Sequence, residues 1–265
     1  MNFAYVIIMA ILKGVKLMDY EKLTQKIYEF IKERIKNANA KGVVLGLSGG
    51  IDSALVATLC KNALKTNIFA LLMPSKYSNE QNLQDALKLC KDLDIEYKII
   101  KIDKILTSFL EQSQDINKIR MGNLCARIRM SLLYDYSALK ECLVAGTSNK
   151  SELMLGYGTI YGDLACAFNP IGNFYKSEIY NLATFLNLDQ VFIQKAPSAD
   201  LWVGQNDQED LGFSYEEIDQ GLKALELNDK EKILSLNPEL VSMLKERMTK
   251  YAFKRALPEI FNDLA

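Results

Sequence analysis

From Val43 to Thr147 the chain alternates short apolar runs with segments of helical spacing, and this alternation restricts the fold more than any other feature. The runs "GVVLGLS", "NIFALLM", "IEYKIIKI" and "CLVAGT" have the length of strands. Between them, "IDSALVATLCKNAL", "NEQNLQDALKLCKDL" and "MGNLCARIRMSLLYDYSAL" place apolar residues at helical spacing. Strands joined through helices need right-handed crossovers, so the expected fold class is α/β: a doubly wound parallel sheet with helices on both faces. Ahead of it, Leu23, Ile27, Phe30, Ile31 and Ile35 predict an amphipathic helix ending near Asn37. Beyond Thr147 the chain becomes polar and glycine-rich as far as Gly172, then reads as a helix through "KSEIYNLATFLNL". The non-periodic "APSADLWVGQNDQEDLGF" follows, and the tail from Tyr215 to Phe261 is helical by pattern. With no repeat and no low-complexity linker, residues 18–265 are expected to form one domain.

Ligands of such sheets bind beyond the carboxyl ends of the strands, which is where "SGG" follows "VVLGL". Gly49 and Gly50 have no Cβ, so a polyanion can approach their backbone N–H groups while the next helix directs its positive end at the same place. Ser48 and Ser53 add hydroxyl donors. A Gly-Gly turn alone reads equally well as an ordinary strand-to-helix connection. Asp52 separates the two readings: a carboxylate beside a phosphate site repels the ligand unless a divalent cation lies between them, which points to Mg²⁺ with a nucleotide. The loop lacks the lysine of a Walker A sequence, so transfer of the terminal phosphoryl group is not the natural inference.

Totals narrow the chemistry. The chain has no histidine, which excludes Ser–His and Cys–His catalysis and every histidine-containing metal site. Against 33 acidic residues stand 32 Lys and Arg, giving a net charge of −1 and no global attraction to nucleic acid or anionic lipid. Five scattered cysteines without a C-x-x-C pair read as buried, reduced thiols of a cytoplasmic protein. "FAYVIIMAIL" near the N-terminus is shorter than the roughly 20 residues that cross a bilayer, and Lys13 and Lys16 follow it, so neither a membrane span nor a signal peptide is expected. Residues 1–17 read either as an extension from an upstream start codon or as an apolar arm packing on a partner subunit.

"GLSGGIDS", Gly46 to Ser53, resembles the pyrophosphate-binding loop of the N-type ATP pyrophosphatases, which split ATP into AMP and pyrophosphate while adenylating a substrate oxygen. "NLCARIRMSLLYDYSA", "LVAGTSNKSE", "GYGTIYGD", "NPIGNFYKSEIYNLA", "PSADLWVGQNDQEDLG" and "YEEID" are similar, in the same order, to the NAD synthetases within that superfamily. This similarity covers roughly residues 20 to 220 and implies the ammonia-dependent form, since the glutamine-dependent form carries a further amidase domain.

The resemblance implies ATP as co-substrate, deamido-NAD and ammonia as the other substrates, an acyl-adenylate intermediate and a homodimer. It assigns Mg²⁺ to Asp52 and Glu152, the phosphates to Gly46, Leu47, Ser48, Gly49, Gly50, Ile51 and Ser53, and the adenosine to Thr147. Lys176 would reach the ATP phosphates and Ser198 would join them when its loop closes, with Trp202 packing on closure. Arg127 would hold deamido-NAD, and Asp163 would lie near the reacting carboxylate. Without the resemblance, Glu152 reads as a first-turn helix acid, Arg127 as a surface ion-pair partner, and Asp200, Asp207, Glu209 and Asp210 as charges on a solvated loop. Three positions depart from the family pattern: Ile160 replaces a lysine, Ala167 an aspartate and Phe253 a histidine, all on the deamido-NAD side. Two rivals remain at this point: another adenylating enzyme, such as a tRNA-modifying one, and a nucleotide-binding regulatory module without catalysis.

Overall fold

A computed structural model describes residues 19–198 and 205–261. The expectations for residues 1–17, Asp200 and Trp202 lie outside the described residues. Four parallel strands, β1 (Val43–Gly46), β2 (Ile68–Leu72), β3 (Glu96–Ile99) and β4 (Leu143–Val144), form one sheet in the order β3-β2-β1-β4. A parallel bridge between Ala145 and Phe168 extends it beyond β4, with Gly146 N–H donating to the Phe168 carbonyl at 2.8 Å.

Period-two alternation splits the strands between two cores. Val43, Leu45, Ile68, Ala70 and Leu72 face α1 (Tyr20–Asn37), α2 (Ile51–Leu64), α3 (Glu80–Asp92) and α7 (Lys176–Phe185). Val44, Phe69 and Leu71 face α4 (Asp103–Glu111) and α5 (Lys118–Lys140). The expected doubly wound sheet is therefore present. Its covering thins at the edge strand β3, where all four residues are exposed, and Glu96 there pairs with Lys140 at 2.9 Å. Charged residues on an edge discourage pairing with other chains.

The remaining elements are α6 (Lys150–Leu155), α8 (Gln190–Ile193), α9 (Asp207–Leu211), α10 (Tyr215–Glu226), α11 (Lys230–Ser235), α12 (Pro238–Lys250) and a 3₁₀ turn, Ala252–Arg255. A third core gathers Leu155 of α6, Tyr175, Leu211 of α9, Ile218 and Leu222 of α10, and Leu240 and Leu244 of α12. The acidic stretch is thus not simply a solvated loop: α9 forms within it, and Asp207 is 3% exposed, while Glu209 and Asp210 stay at the surface. Among the described residues, no helix is long and apolar enough to cross a membrane.

The chain lays β1, β2 and β3 outward in one direction and then returns to the other side of β1 for β4. Outside the carboxyl ends of β1 and β4 this reversal leaves a crevice, and the Ser48-Gly49-Gly50 turn and the Thr147-Ser148-Asn149 segment flank it.

Candidate active site

That crevice is a cavity of about 1120 Å³, above the range of roughly 300–1,000 Å³ usual for a site holding one small molecule. Its phosphate-loop wall is built by hydroxyls. The Ser53 hydroxyl donates to the Gly50 carbonyl at 3.1 Å, receives Ser48 N–H at 3.2 Å, and lies 3.1 Å from the Ser48 hydroxyl. Gly50 caps α2 with no side chain to satisfy the first N–H groups of the helix, so these donors are left for a ligand. Gly46, Leu47, Ser48, Gly50, Ile51, Asp52 and Ser53 all line the cavity. Gly49 does not: at φ 84°, its backbone lies against α3, where a Cβ would come within 2.1 Å of the Asn82 carbonyl oxygen.

Three charged residues meet beside this loop. Lys176, at the start of α7 and 2% exposed, forms an ion pair with Asp52, and its Nζ stands 3.9 Å from Glu152 Oε1. Burial pulls the Lys176 ammonium down, but Asp52 and Glu152 together outweigh that and hold it above the usual lysine range. Burial, with the Asp52 charge added, pushes the Glu152 carboxyl up to about 8. Asn149, fully buried, joins both acids: its amide donates to Asp52 Oδ1 at 3.1 Å, and it closes a capping box with Glu152. That box takes Glu152 Oε2 for the Asn149 N–H and leaves Oε1 facing Lys176. Sequence reading recognised the cap region but missed Asn149 as the bridge, although the Asn-x-x-Glu spacing that defines the box is visible in "NKSE".

Behind these groups lies a further acid, this one buried. Asp219 of α10, 2% exposed, accepts from the Ser151 hydroxyl and from Ser177 N–H, the latter at 2.7 Å. Ser151 Oγ in turn receives Lys176 N–H at 2.9 Å. One carboxylate therefore sets the spacing of the two helix starts that carry Glu152 and Lys176.

Of the other predicted residues, Thr147, Asp163 and Ser198 line the cavity. Asp163 accepts Thr159 N–H at 2.9 Å. Arg127 does not line it; exposed on α5, it approaches the Ile160 carbonyl at 3.4 Å. Arg129, two residues further along the same helix, does line the cavity and donates to the Met73 carbonyl at 3.0 Å. Residues beyond the span of the sequence resemblance also build the wall. Lys254 donates to the Gly156 and Gly158 carbonyls at 2.8 and 2.7 Å, and Arg247 donates to the Leu155 carbonyl at 3.1 Å. Asp207 completes that side, taking hydrogen bonds from Tyr157 and Tyr215, each at 3.2 Å.

A glycine loop without a Walker lysine, set at a helix N-terminus on the switch point of a parallel sheet and faced by two carboxylates, defines a nucleotide-binding α/β protein. The family model for NAD synthase matches residues 23–258. The chain belongs to the NAD synthase family. It is 66% identical, over 92% of its length and 99% of the relative's, to the NH(3)-dependent NAD(+) synthetase of Campylobacter jejuni subsp. jejuni. The solved structure of the NH3-dependent NAD synthetase from Campylobacter jejuni subsp. jejuni, in complex with the nitrate ion, aligns with a TM-score of 0.83 at 60% identity, covering 93% of this chain and all of that one. An NMN synthetase from Francisella tularensis aligns with a TM-score of 0.85 at 32% identity, with the same coverage of both chains.

Proposed function

We propose that the chain is an ammonia-dependent NAD synthetase, a ligase that amidates deamido-NAD using ATP and releases NAD, AMP and pyrophosphate. The observation that carries this reading is the convergence of Asp52, Glu152 and Lys176 on the cavity wall beside a glycine loop suited to pyrophosphate rather than to terminal phosphoryl transfer. The NH3-dependent relatives, matched over nearly their whole length, support the choice of substrates.

The β- and γ-phosphates of ATP would lie on Gly50 N–H, the free N–H groups of α2 and the Ser48 and Ser53 hydroxyls, within a frame set by Gly46, Leu47, Gly49 and Ile51. Thr147 would face the adenosine. The nicotinate carboxylate attacks the α-phosphorus, pyrophosphate leaves, and ammonia displaces AMP from the acyl adenylate. Lys176 stabilises the departing charge, for which its ammonium must turn from Asp52 toward the phosphates. Ser198 would add a hydroxyl donor there, while Asp163 and Arg127 serve the dinucleotide.

Two carboxylates set against one buried ammonium offer hard oxygen donors with an excess of acid over base, and so fit Mg²⁺. Among the described residues no group of three or more acid or thiol ligands gathers. Asp52 and Glu152 would thus hold the ion jointly with phosphate oxygens and water, as Mg²⁺ commonly binds. Bound there, it would polarise the phosphate and neutralise pyrophosphate.

A homodimer accords with α5, whose outer side exposes Tyr134 (40%) and Leu139 (68%). The thiols, four buried and none in a disulfide, accord with a reducing, cytoplasmic setting. Purified protein given ATP, Mg²⁺, deamido-NAD and an ammonium salt should yield NAD, AMP and pyrophosphate in equal amounts. ADP as product would overturn the proposal. Because one structural neighbour is an NMN synthetase, the mononucleotide analogue of deamido-NAD is the control acceptor, and preference for it would move the substrate.

A further inference from the structure

Lys195 belongs to none of the motifs of the sequence, yet its ammonium uses three donors on three partners. Nζ donates to the Gly49 carbonyl at 2.9 Å, to Asn82 Oδ1 at 2.9 Å and to Asp85 Oδ2 at 2.6 Å. Asp85, on α3 and 5% exposed, has its other oxygen held by the Gln81 amide at 2.8 Å. This cluster braces the phosphate loop at the point where Gly49 rests on the Asn82 backbone, and Lys195 and Asn82 also reach the cavity wall.

Peptide geometry gives the contact its consequence. In a trans peptide the carbonyl of one residue and the N–H of the next point in opposite directions. Drawing the Gly49 carbonyl toward Lys195 therefore turns Gly50 N–H the other way, where it meets Ser48 Oγ at 3.3 Å on the cavity side. Lys195 also stands three residues before Ser198, so it fastens the segment leading to that residue onto the loop.

We propose that Lys195, anchored on Asp85, is a positioning residue that fixes the Gly49–Gly50 peptide with its N–H facing the bound phosphate. The proposal rests on the reading of Gly46 to Ser53 as the pyrophosphate site and names what holds that site in shape. It differs from direct phosphate binding by Lys195 in the sign of one effect. Were the ammonium a phosphate ligand, removing the Asp85 charge would release it and strengthen anion binding; in the positioning role, the same change loosens the anchor and weakens binding.

The test is calorimetric titration of the full chain with Mg-pyrophosphate, together with KM values for ATP and deamido-NAD. Lys195→Met and Asp85→Asn should each weaken pyrophosphate by about tenfold, the effect of losing one charge-assisted hydrogen bond. KM for ATP should rise with it while KM for deamido-NAD stays near the unaltered value; Lys195→Met, which leaves the buried Asp85 carboxylate without its ammonium, should also lower the melting temperature. Lys195→Arg, the milder replacement, should recover part of the loss and provides the readout if Lys195→Met does not fold. Unchanged affinity in Lys195→Met, tighter pyrophosphate in Asp85→Asn, or equal loss for both substrates would overturn the proposal. Failure of the unaltered chain to bind pyrophosphate would sink the phosphate-site reading itself and the proposal with it.

Discussion

At Lys176 a single ammonium, cut off from water, faces two acids, and each of the three depends on the others. Asp52→Asn keeps an oxygen for Lys176, and Glu152→Gln keeps the capping partner of Asn149, so both variants should fold. Each should nonetheless lose activity by about 100-fold or more if, as proposed, it removes a charge that holds Mg²⁺ at the transition state. Asp52→Ala differs: it leaves Lys176 with only the more distant Glu152, and breaking a buried pair in this way costs about 3 kcal/mol, read as a lower denaturation midpoint. The cysteines give a second prediction. Burial pushes the Cys60 and Cys90 thiols up to about 12, so at pH 8 only about one in 10⁴ is ionised. Since the thiolate is the reactive form, alkylation of the native protein should spare both and reach the half-buried Cys166 first. Rapid labelling of Cys60 in the folded chain would contradict its place in the core.

Among the elements, α6, α7 and α10 form the least obvious part of the site. Asp219 belongs to α10, in the third core, yet it fixes the starts of α6 and α7 through Ser151 and Ser177. Asp219→Ala leaves buried donors unmade, which should cost about 1–3 kcal/mol of stability and, by misaligning Glu152 and Lys176, at least tenfold in kcat. Full activity with a lowered melting temperature would make the network merely structural. Sequence reading was weakest at this level where signals were short. Helix α4 was not anticipated, since its few apolar residues, such as Leu106, sit in a nine-residue segment. β4 shrank to two residues, and its pairing passes to the single bridge at Phe168, which no local pattern announces.

For the molecule as a whole, the position of Arg127 bears on assembly. It lies outside the cavity on exposed α5, whose Tyr134 and Leu139 are also uncovered. If α5 meets its copy in a homodimer, Leu139→Lys together with Tyr134→Lys should shift the chain toward monomer in sedimentation. Arg127→Ala should weaken deamido-NAD more than ATP without altering assembly. Equal weakening of both substrates would return Arg127 to an ordinary surface role.

What was legible along the chain was whatever depends on near neighbours. Apolar runs of strand length, helical spacing and the Ser-Gly-Gly turn gave the sheet, its two faces and the loop at its carboxyl edge, because each signal is written within a few residues. The absence of histidine excluded whole classes of chemistry outright. The expectation of a cation at Asp52 also came from local electrostatics, but its sharing of Lys176 with Glu152 could not. That meeting joins Asp52 to residues a hundred or more positions away, and only the reversal of strand order between β1 and β4 brings their loops together. Burial of Asp207 and Asp219, the replacement of Arg127 by Arg129 on the cavity wall, and the hold of Lys195 on Gly49 likewise depend on which helices pack together. A charged residue written in the sequence carries no mark of the partner that will face it; packing alone decides whether it meets water, a ligand or another charge.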